Sequence, residues 1–341
     1  VTLLCAALPA LAAGPSADTS FRIESVSLVS TDGYQRIALE DCRMMSDVGR
    51  PELPMRVLRF VIPADMRVSD VVVAGLAETA IEGEHRIMPA QPRVPMGEAA
   101  EWVDPDPVIY DSDARFPASR VEYLGDGYLG GFRIASVALY PVQYEPRSGR
   151  LSLATELSVD LRLSPDVDRS RPRRRITAQA AEIYEHVVRT VVQNPEDVRG
   201  KLKAEVEVGV GPDGFMPRYT PSLEGSPVDY VIITTDQFLP YFEQLADWKT
   251  KKGVPTVIRT VSWIDSNYSG GCDTAERIRY FIADAYESWG ASFFLLGGDT
   301  DSVPVRYGWS AYYGGWDVST DLYYSDLDEN WNGDGDFNFA E

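Results

Sequence analysis

Val228-Asp-Tyr-Val-Ile-Ile-Thr-Thr235 opens the part of the chain whose reading decides the fold. Its β-branched residues form a run rather than an alternation, which is the pattern of a buried strand. Phe238 to Lys252 follows as a helix with Phe242, Leu245 and Trp248 at helical spacing, and Gly253 supplies the stop. Val254 to Val261 reads as a second strand. Thr274 to Trp289 reads as another helix, capped by Asp273 or Thr274, with Ile278, Phe281, Ile282 and Tyr286 as its apolar stripe. Ser292-Phe-Phe-Leu-Leu296 is a third strand and runs into Gly297-Gly-Asp299. Strands alternating with helices over short connections predict an α/β domain with a parallel sheet covered by helices.

Upstream the pattern changes class. From Phe21 to Leu163 short segments with period two recur at Arg56–Ile62, Val68–Val73, Val121–Tyr123, Phe132–Val142 and Leu157–Leu163. Turn signals separate them, among them Pro63-Ala-Asp65, Gly125-Asp-Gly127 and Pro146-Arg-Ser-Gly149. This spacing favours an all-β sandwich or barrel. Between the two domains, Arg169 to Arg175 reads RSRPRRR, and Ala178 to Val191 is expected to be helical with Ile183, His186, Val187 and Val191 on its packed side. The expected organisation is a partial signal peptide at 1–17, a β-rich domain at 18–164, a basic linker with a helical connector at 165–227, and the α/β domain at 228–341.

Composition narrows the function classes. The 341 residues carry 52 acidic and 32 basic side chains, a formal net charge of −20, which disfavours nucleic acid and anionic membrane as partners. VTLLCAALPALAAGPSA at the start is apolar and then small, with Ala10-Leu11-Ala12 as a cleavage signal for secretion or surface export of bacterial type. No later run reaches the ~20 apolar residues of a membrane span. Beyond Cys5, only Cys42 and Cys272 remain, which excludes a disulfide-built scaffold and a Cys-rich zinc site.

Three groups of residues bear chemistry. Asp299 and Asp301 lie just past the third strand, where open parallel sheets place ligands, although Asp299 also fits as the cap of the next turn. Asp326, Asp328, Asn330, Asn332, Asp334 and Asp336 put oxygen-bearing side chains at alternate positions, with Gly333 and Gly335 easing turns. That pattern suits Ca²⁺, a hard cation taking six to eight oxygens, and equally describes a solvated acidic turn. Asp328, Asn330 and Asn332 start like an EF-hand loop, but Phe339 stands where its closing Glu belongs. Arg169, Arg171, Arg173, Arg174 and Arg175 read as a processing site or as a solvated linker. Cys272 sits near a helix N-terminus, where the dipole favours a thiolate, but neither His85 nor His186 has a sequence reason to be beside it.

These residues carry a family resemblance. Asp229–Thr235, Trp248-Lys-Thr-Lys-Lys-Gly253, Ile278–Tyr286, Phe294-Leu-Leu-Gly-Gly-Asp299 and Thr320–Asp328 resemble the opening of the gingipain-type cysteine peptidase domain. Pro51-Glu-Leu-Pro54, Pro89-Ala-Gln-Pro92 and Tyr140-Pro-Val-Gln-Tyr144 are similar to the family's prodomain. The resemblance implies an all-β sandwich-like inhibitory prodomain followed by a caspase-like three-layer α/β peptidase domain, incomplete at Glu341. It implies that the Cys nucleophile and His partner lie downstream, so no residue in this chain is named as catalytic. It further implies protein or peptide substrates cut after Arg or Lys, with the chain's own prodomain as a partner. Asp299 and Asp301 are pocket candidates by position, and the basic run suits removal of the prodomain. The competing expectation is a non-catalytic, calcium-stabilised surface binding protein. A carbohydrate-binding module using Trp309 and Trp316 ranks third.

Overall fold

A computed structural model describes residues 12–92, 94, 101–166, 174–202, 204–207, 228–310, 316–327, 331–332 and 339. Contacts divide the chain into two units. The first comprises Val1–Gly127, Phe132–Arg169 and Val188–Lys201; the second comprises Tyr128–Gly131, Ser170–Val187 and Leu202–Glu341.

In chain order the β-rich part contains β1 (Ala12–Ser20), β2 (Val26–Thr31), β3 (Tyr34–Leu39), β4 (Arg43–Met44), β5 (Pro54–Ile62) and β6 (Met66–Ile81). After a one-turn helix α1 (Pro107–Tyr110) come β7 (Val121–Leu129), β8 (Phe132–Leu139), β9 (Val142–Glu145) and β10 (Arg150–Pro165). One antiparallel sheet has the order β1-β10-β6, with β9 also on β10; the other has the order β4-β5-β8-β7. Their inner faces meet in a core of Leu58, Phe60 and Ile62 from β5, Val137 and Leu139 from β8, and Leu157, Val159, Leu161 and Leu163 from β10. The every-second-residue burial along β10 is what its alternating sequence dictates, and the result is a sandwich.

Two expectations are adjusted here, and a third segment takes up a strand the sequence did not suggest. Phe132–Val142 is two strands, because Tyr140-Pro141 interrupts the ladder and the chain passes from one sheet to the other. The strands expected at Val68–Val73 and Leu157–Leu163 extend to sixteen residues each and pair with one another through three bulges. The small residues read as the end of an export signal form β1 from Ala12 onward. Gly14 allows this strand its close approach: a Cβ there would lie 2.5 Å from the Leu161 carbonyl oxygen.

One buried charge network ties this unit together. Arg133 on β8 donates through Nε to Asp126 (2.5 Å) and through Nη1 to Asp166 (2.6 Å). Tyr123 also donates to Asp126, so a β7 residue, β8 and the residue just past β10 share one guanidinium.

The connector holds β11 (Arg174–Thr177), α2 (Ala178–Val191) and β12 (Ala204–Glu207). β11 and β12 pair in parallel, so Arg174 and Arg175 belong to a ladder rather than to an open linker. Arg169, Arg171 and Arg173 lie outside the described residues. The helix spans the expected residues, but its buried side is turned: Val188 and the following Val192 are buried, while Ile183, Val187 and Val191 are exposed. His186 is exposed with them instead of packed.

The α/β part contains β13 (Tyr230–Thr234), α3 (Leu239–Lys251), β14 (Thr256–Thr260), α4 (Val261–Asn267), α5 (Thr274–Ser288) and β15 (Phe293–Gly297). It continues with β16 (Arg306–Ser310), β17 (Trp316–Thr320) and α6 (Leu322–Ser325). The sheet order is β14-β13-β15, all parallel. Ile232 and Ile258 pack with Phe242, Leu245 and Ala246 of α3 on one face. Val231, Ile233 and Val257 pack with Ile264 of α4 and Ile278, Phe281 and Ile282 of α5 on the other. Helices cover both faces, giving three layers.

Three sequence expectations fail in detail. Trp248 faces outward rather than into the α3 core. Val261 ends no strand but starts α4, because the Thr260 hydroxyl accepts from the Trp263 amide and caps a helix directly at the strand end. On α5 the stripe ends at Ala285 and Trp289, which are buried, with Tyr286 only half-buried.

Candidate functional site

Pairing Thr234 with both Thr260 and Gly297 brings the carboxyl ends of the three parallel strands to one level. The Thr234 hydroxyl donates to the Gly297 carbonyl (2.5 Å) and locks two of the strand ends. Gly297 is required by packing, since a Cβ there would meet the Phe242 ring at 2.7 Å. Gly298 has φ +149°, a conformation few other residues adopt, and turns the chain into Asp299. The Asp299 carboxylate accepts from the Asp301 amide (3.2 Å), and its carbonyl accepts from the Ser302 and Val303 amides (2.9 Å each). Asp299 therefore caps the following turn. Asp299 and Asp301 are both exposed at the edge where a ligand would approach. On the same edge, Asp236 accepts from the Ser262 hydroxyl (2.5 Å), which lies 2.9 Å from that of Thr260. Asp236 and Ser262 were not anticipated; their signal was only their place one or two residues past a strand.

Behind this edge stands an arginine-centred assembly. The Asp273 side chain caps α5 by accepting from the Glu276 amide (2.9 Å). Both its oxygens also receive Arg306, Nη1 to Oδ2 and Nη2 to Oδ1, each at 2.8 Å. Such a two-pronged pair is the geometry guanidinium is built for. The Arg306 guanidinium lies 3.8 Å from the Phe339 ring centre and 4.4 Å from that of Tyr323. Partial burial on its own raises the Asp273 carboxyl, but the Arg306 hydrogen bonds, the Glu276 amide and the charges of Arg306 and Arg277 outweigh it. The group is held below its ordinary 3.8.

A pH effect follows. A carboxyl depressed in the folded state contributes stability that is present above its unfolded value and lost as pH falls through the folded one. The Asp273 contribution should accordingly fade below about pH 3.8. Thermal melting between pH 5 and pH 2.5 is expected to be less acid-sensitive in Asp273→Asn than in the parent; identical pH profiles would disprove the linkage.

The acidic segment is tethered to the same assembly. Arg279 of α5 donates to the Asp326 carbonyl (2.7 Å). Tyr323 meets Trp331 (5.4 Å) and Phe339 (6.1 Å) edge to face. Arg279 thus holds the start of the Asp326–Phe339 stretch and the buried Trp331 and Phe339 anchor its middle and end, with Asn332 half-buried. Asp326 presents its carbonyl to an arginine, which leaves only its carboxylate for a cation. Asp328, Asn330, Asp334 and Asp336 lie outside the described residues, and the described residues contain no group of three or more His, Cys, Asp or Glu suited to a metal. In donor chemistry the segment fits a hard cation, because every candidate side-chain donor is an oxygen.

The cysteines are poorly suited to attack. Cys42 is half-buried and free, and burial pushes its thiol up to about 11. Cys272 is free and exposed, yet its thiol is raised by partial burial and by Glu276 and Asp273. Partial burial and these acids work against the helix dipole that would favour a thiolate. The His85 ring is occupied by Gln35 Oε1 (2.8 Å) and the Glu82 carbonyl (3.1 Å). No described helix is long and apolar enough to cross a membrane.

Comparison with known proteins places these features. Residues 18–202 match the family described as Propeptide_C25, and residues 224–339 match Peptidase family C25. The chain is 23% identical over 335 residues to Lys-gingipain of Porphyromonas gingivalis, covering 91% of this chain and 17% of that protein. Lys-gingipain HG66 of the same species matches at the same identity and coverage. The chain therefore spans less than a fifth of the length of these curated relatives. Among solved structures, a complex of Porphyromonas gingivalis RgpB pro- and mature domains is 18% identical, with TM-score 0.43, over 53% of this chain and 91% of that one. A structure concerning zymogenic latency of gingipain K from the same organism is 20% identical, with TM-score 0.37, over 48% and 97%. With a propeptide match over more than half its length and a peptidase match behind it, the chain belongs to the gingipain-type C25 cysteine peptidase family.

Proposed function

We propose that this chain is the front portion of a secreted cysteine endopeptidase zymogen, whose β sandwich inhibits the caspase-like peptidase domain until it is cut away. The order of the two family matches on one chain, propeptide then peptidase, carries this reading. Both described cysteines are free and the His85 ring is taken up by Gln35 and the Glu82 carbonyl, which supports a Cys–His pair supplied from outside residues 1–341. In that chemistry a thiolate attacks the peptide carbonyl carbon and the C–N bond breaks. The imidazolium gives its proton to the departing amine, and water then releases the acyl group as a carboxylate. Asp299 and Asp301, exposed at the strand ends, are the pocket residues we assign to a P1 Arg or Lys. Arg169–Arg175 is the assigned processing segment.

The test is to continue the reading frame beyond Glu341, express the complete protein, and assay Arg- and Lys-reporter peptides. Thiol-sensitive cleavage with loss of the N-terminal domain is expected. A protein that stays intact and inactive, with no downstream Cys–His pair, would leave a calcium-stabilised binding protein on a peptidase fold.

Ca²⁺ belongs to the same proposal, held by Asp328, Asn330, Asn332, Asp334 and Asp336 with the Asp326 carboxylate. When bound it would supply a charge that closes the acidic stretch over its aromatic anchors. At 100 times its Kd, Ca²⁺ would add about 2.7 kcal/mol of stability. The melting temperature is expected to rise with millimolar Ca²⁺ and return with chelator; no shift would remove the site.

A further inference from the structure

The outward side of α3 carries a feature that peptidase chemistry does not use. Tyr241 is 78% exposed and Trp248 is 56% exposed. Gln244, Lys251 and Lys252 are exposed too, and the positions 241, 244, 248 and 251 recur at helical spacing. They form one stripe beside the buried side of the helix, where Phe242, Leu245 and Ala246 face the sheet and Leu245 borders the two rings at helical spacing. Seven residues of rise separate the two rings by about 10 Å along the helix axis.

Charge marks this stripe out further. The chain has a net charge of −20 and five lysines, Lys201, Lys203, Lys249, Lys251 and Lys252, so three of the five stand within four residues at the end of α3. Cations there suit the helix dipole, which explains lysine in the last turn but not the two projecting rings. Lys249 is committed inward, its ammonium 3.9 Å from the Tyr230 ring centre. Lys252 lies 5.7 Å from the Trp248 ring centre, so cation and aromatic face are presented together.

We propose that this stripe binds an acidic polysaccharide, with sugar faces stacked on Trp248 and Tyr241 and sugar carboxylates paired with Lys251 and Lys252. Charge complementarity selects an anion: on so acidic a surface this is a local concentration of ammonium groups. The polar setting of the rings selects a glycan over a protein. A protein interface surrounds its aromatic anchors with apolar surface and is depleted of charge at its core. Here Gln244 stands one turn from each ring and Lys252 lies beside Trp248, groups that match sugar hydroxyls and carboxylates. Two rings two helical turns apart can engage alternate sugars of one chain, and Gln244 between them offers both a donor and an acceptor.

The 341-residue chain is titrated calorimetrically with a hyaluronan decasaccharide, with a neutral glucan of equal length and poly-glutamate as comparisons. Hyaluronan is expected to bind, and Trp248→Ala to weaken it about tenfold or more, as loss of one stacking partner does. Lys251→Gln with Lys252→Gln should weaken it and flatten its salt dependence. All of these positions are exposed, so melting temperatures should match the parent. Absence of hyaluronan binding, or Trp248→Ala binding unchanged, would overturn the proposal. Equal binding of the neutral glucan would overturn the ionic recognition, and poly-glutamate binding with the same Trp248 dependence would replace the glycan by an acidic polypeptide.

Discussion

Arg133→Ala is expected to destabilise the β sandwich by about 3–5 kcal/mol, the cost of breaking a buried ion pair by removing one partner. The Arg133, Asp126 and Asp166 side chains are all mostly buried, at 10%, 16% and 18% exposure. Removing the guanidinium takes the shared cation from two carboxylates that have been withdrawn from water to meet it. Hydrogen exchange of the β5, β8 and β10 amides should accelerate by two to three powers of ten, at ~1.4 kcal/mol per power. Arg133→Lys keeps the charge but loses the fork, so it should recover only part of the protection. Exchange within a factor of about two of the parent in Arg133→Ala would show that the network contributes nothing net. Because Asp166 directly follows β10 and is held by Arg133, the same variant should loosen the exit from the sandwich first.

Phe281→Ala should cost a similar amount, about 3–5 kcal/mol, in the α/β unit. Phe281 is fully buried and meets Trp289 (5.4 Å), Tyr268 (5.5 Å) and Trp263 (5.9 Å) edge to face. Truncation opens a cavity and also removes three ring contacts that add to simple burial. The consequence reaches the candidate site, because α5 carries both Asp273 and Arg279. A melting temperature lower by about 6–20 °C is expected for a unit of this size. Phe281→Leu, which keeps most of the volume, should lose less than half as much; equal losses in the two variants would mean that ring geometry, rather than cavity volume, sets the cost.

The strands and helices of 228–297 were legible because two periodicities alternate there over connections too short for anything but neighbouring elements. Val228–Thr235 has β-branched residues on both sides of the strand, and the structure buries both sides, between α3 and α5. In β10 the alternation in Leu157-Ser-Val-Asp-Leu-Arg-Leu163 appears directly as burial. Asp299 capping its own turn was readable from its place after two glycines. α4 was not legible: Val261-Ser-Trp-Ile264 continues the apolar character of β14, and only the Thr260 side-chain cap converts strand into helix.

Other features had no local signature. The residues that mark the packed side of α2 and of α3 in a helical projection include Val187 and Trp248, both of which the fold leaves exposed. A helix with apolar residues on more than one side does not determine which side is covered; its neighbours do. The Asp273–Arg306 pair spans 33 positions, and no spacing rule links a helix cap to the start of a later hairpin. Cys272 shows the same dependence, since a helix N-terminus favours a thiolate while partial burial and the neighbouring Glu276 and Asp273 raise the thiol.

By itself, then, the sequence determined the class of each domain, their order, the family and the chemical nature of the acidic segment, because these rest on periodicity, composition and short motifs that act locally. The tertiary structure alone decided which face of each helix is buried, which charges pair and which cysteine is accessible. Those outcomes are set by distances between residues far apart in the chain, and desolvation and Coulomb energies are fixed only when the packing brings such groups together.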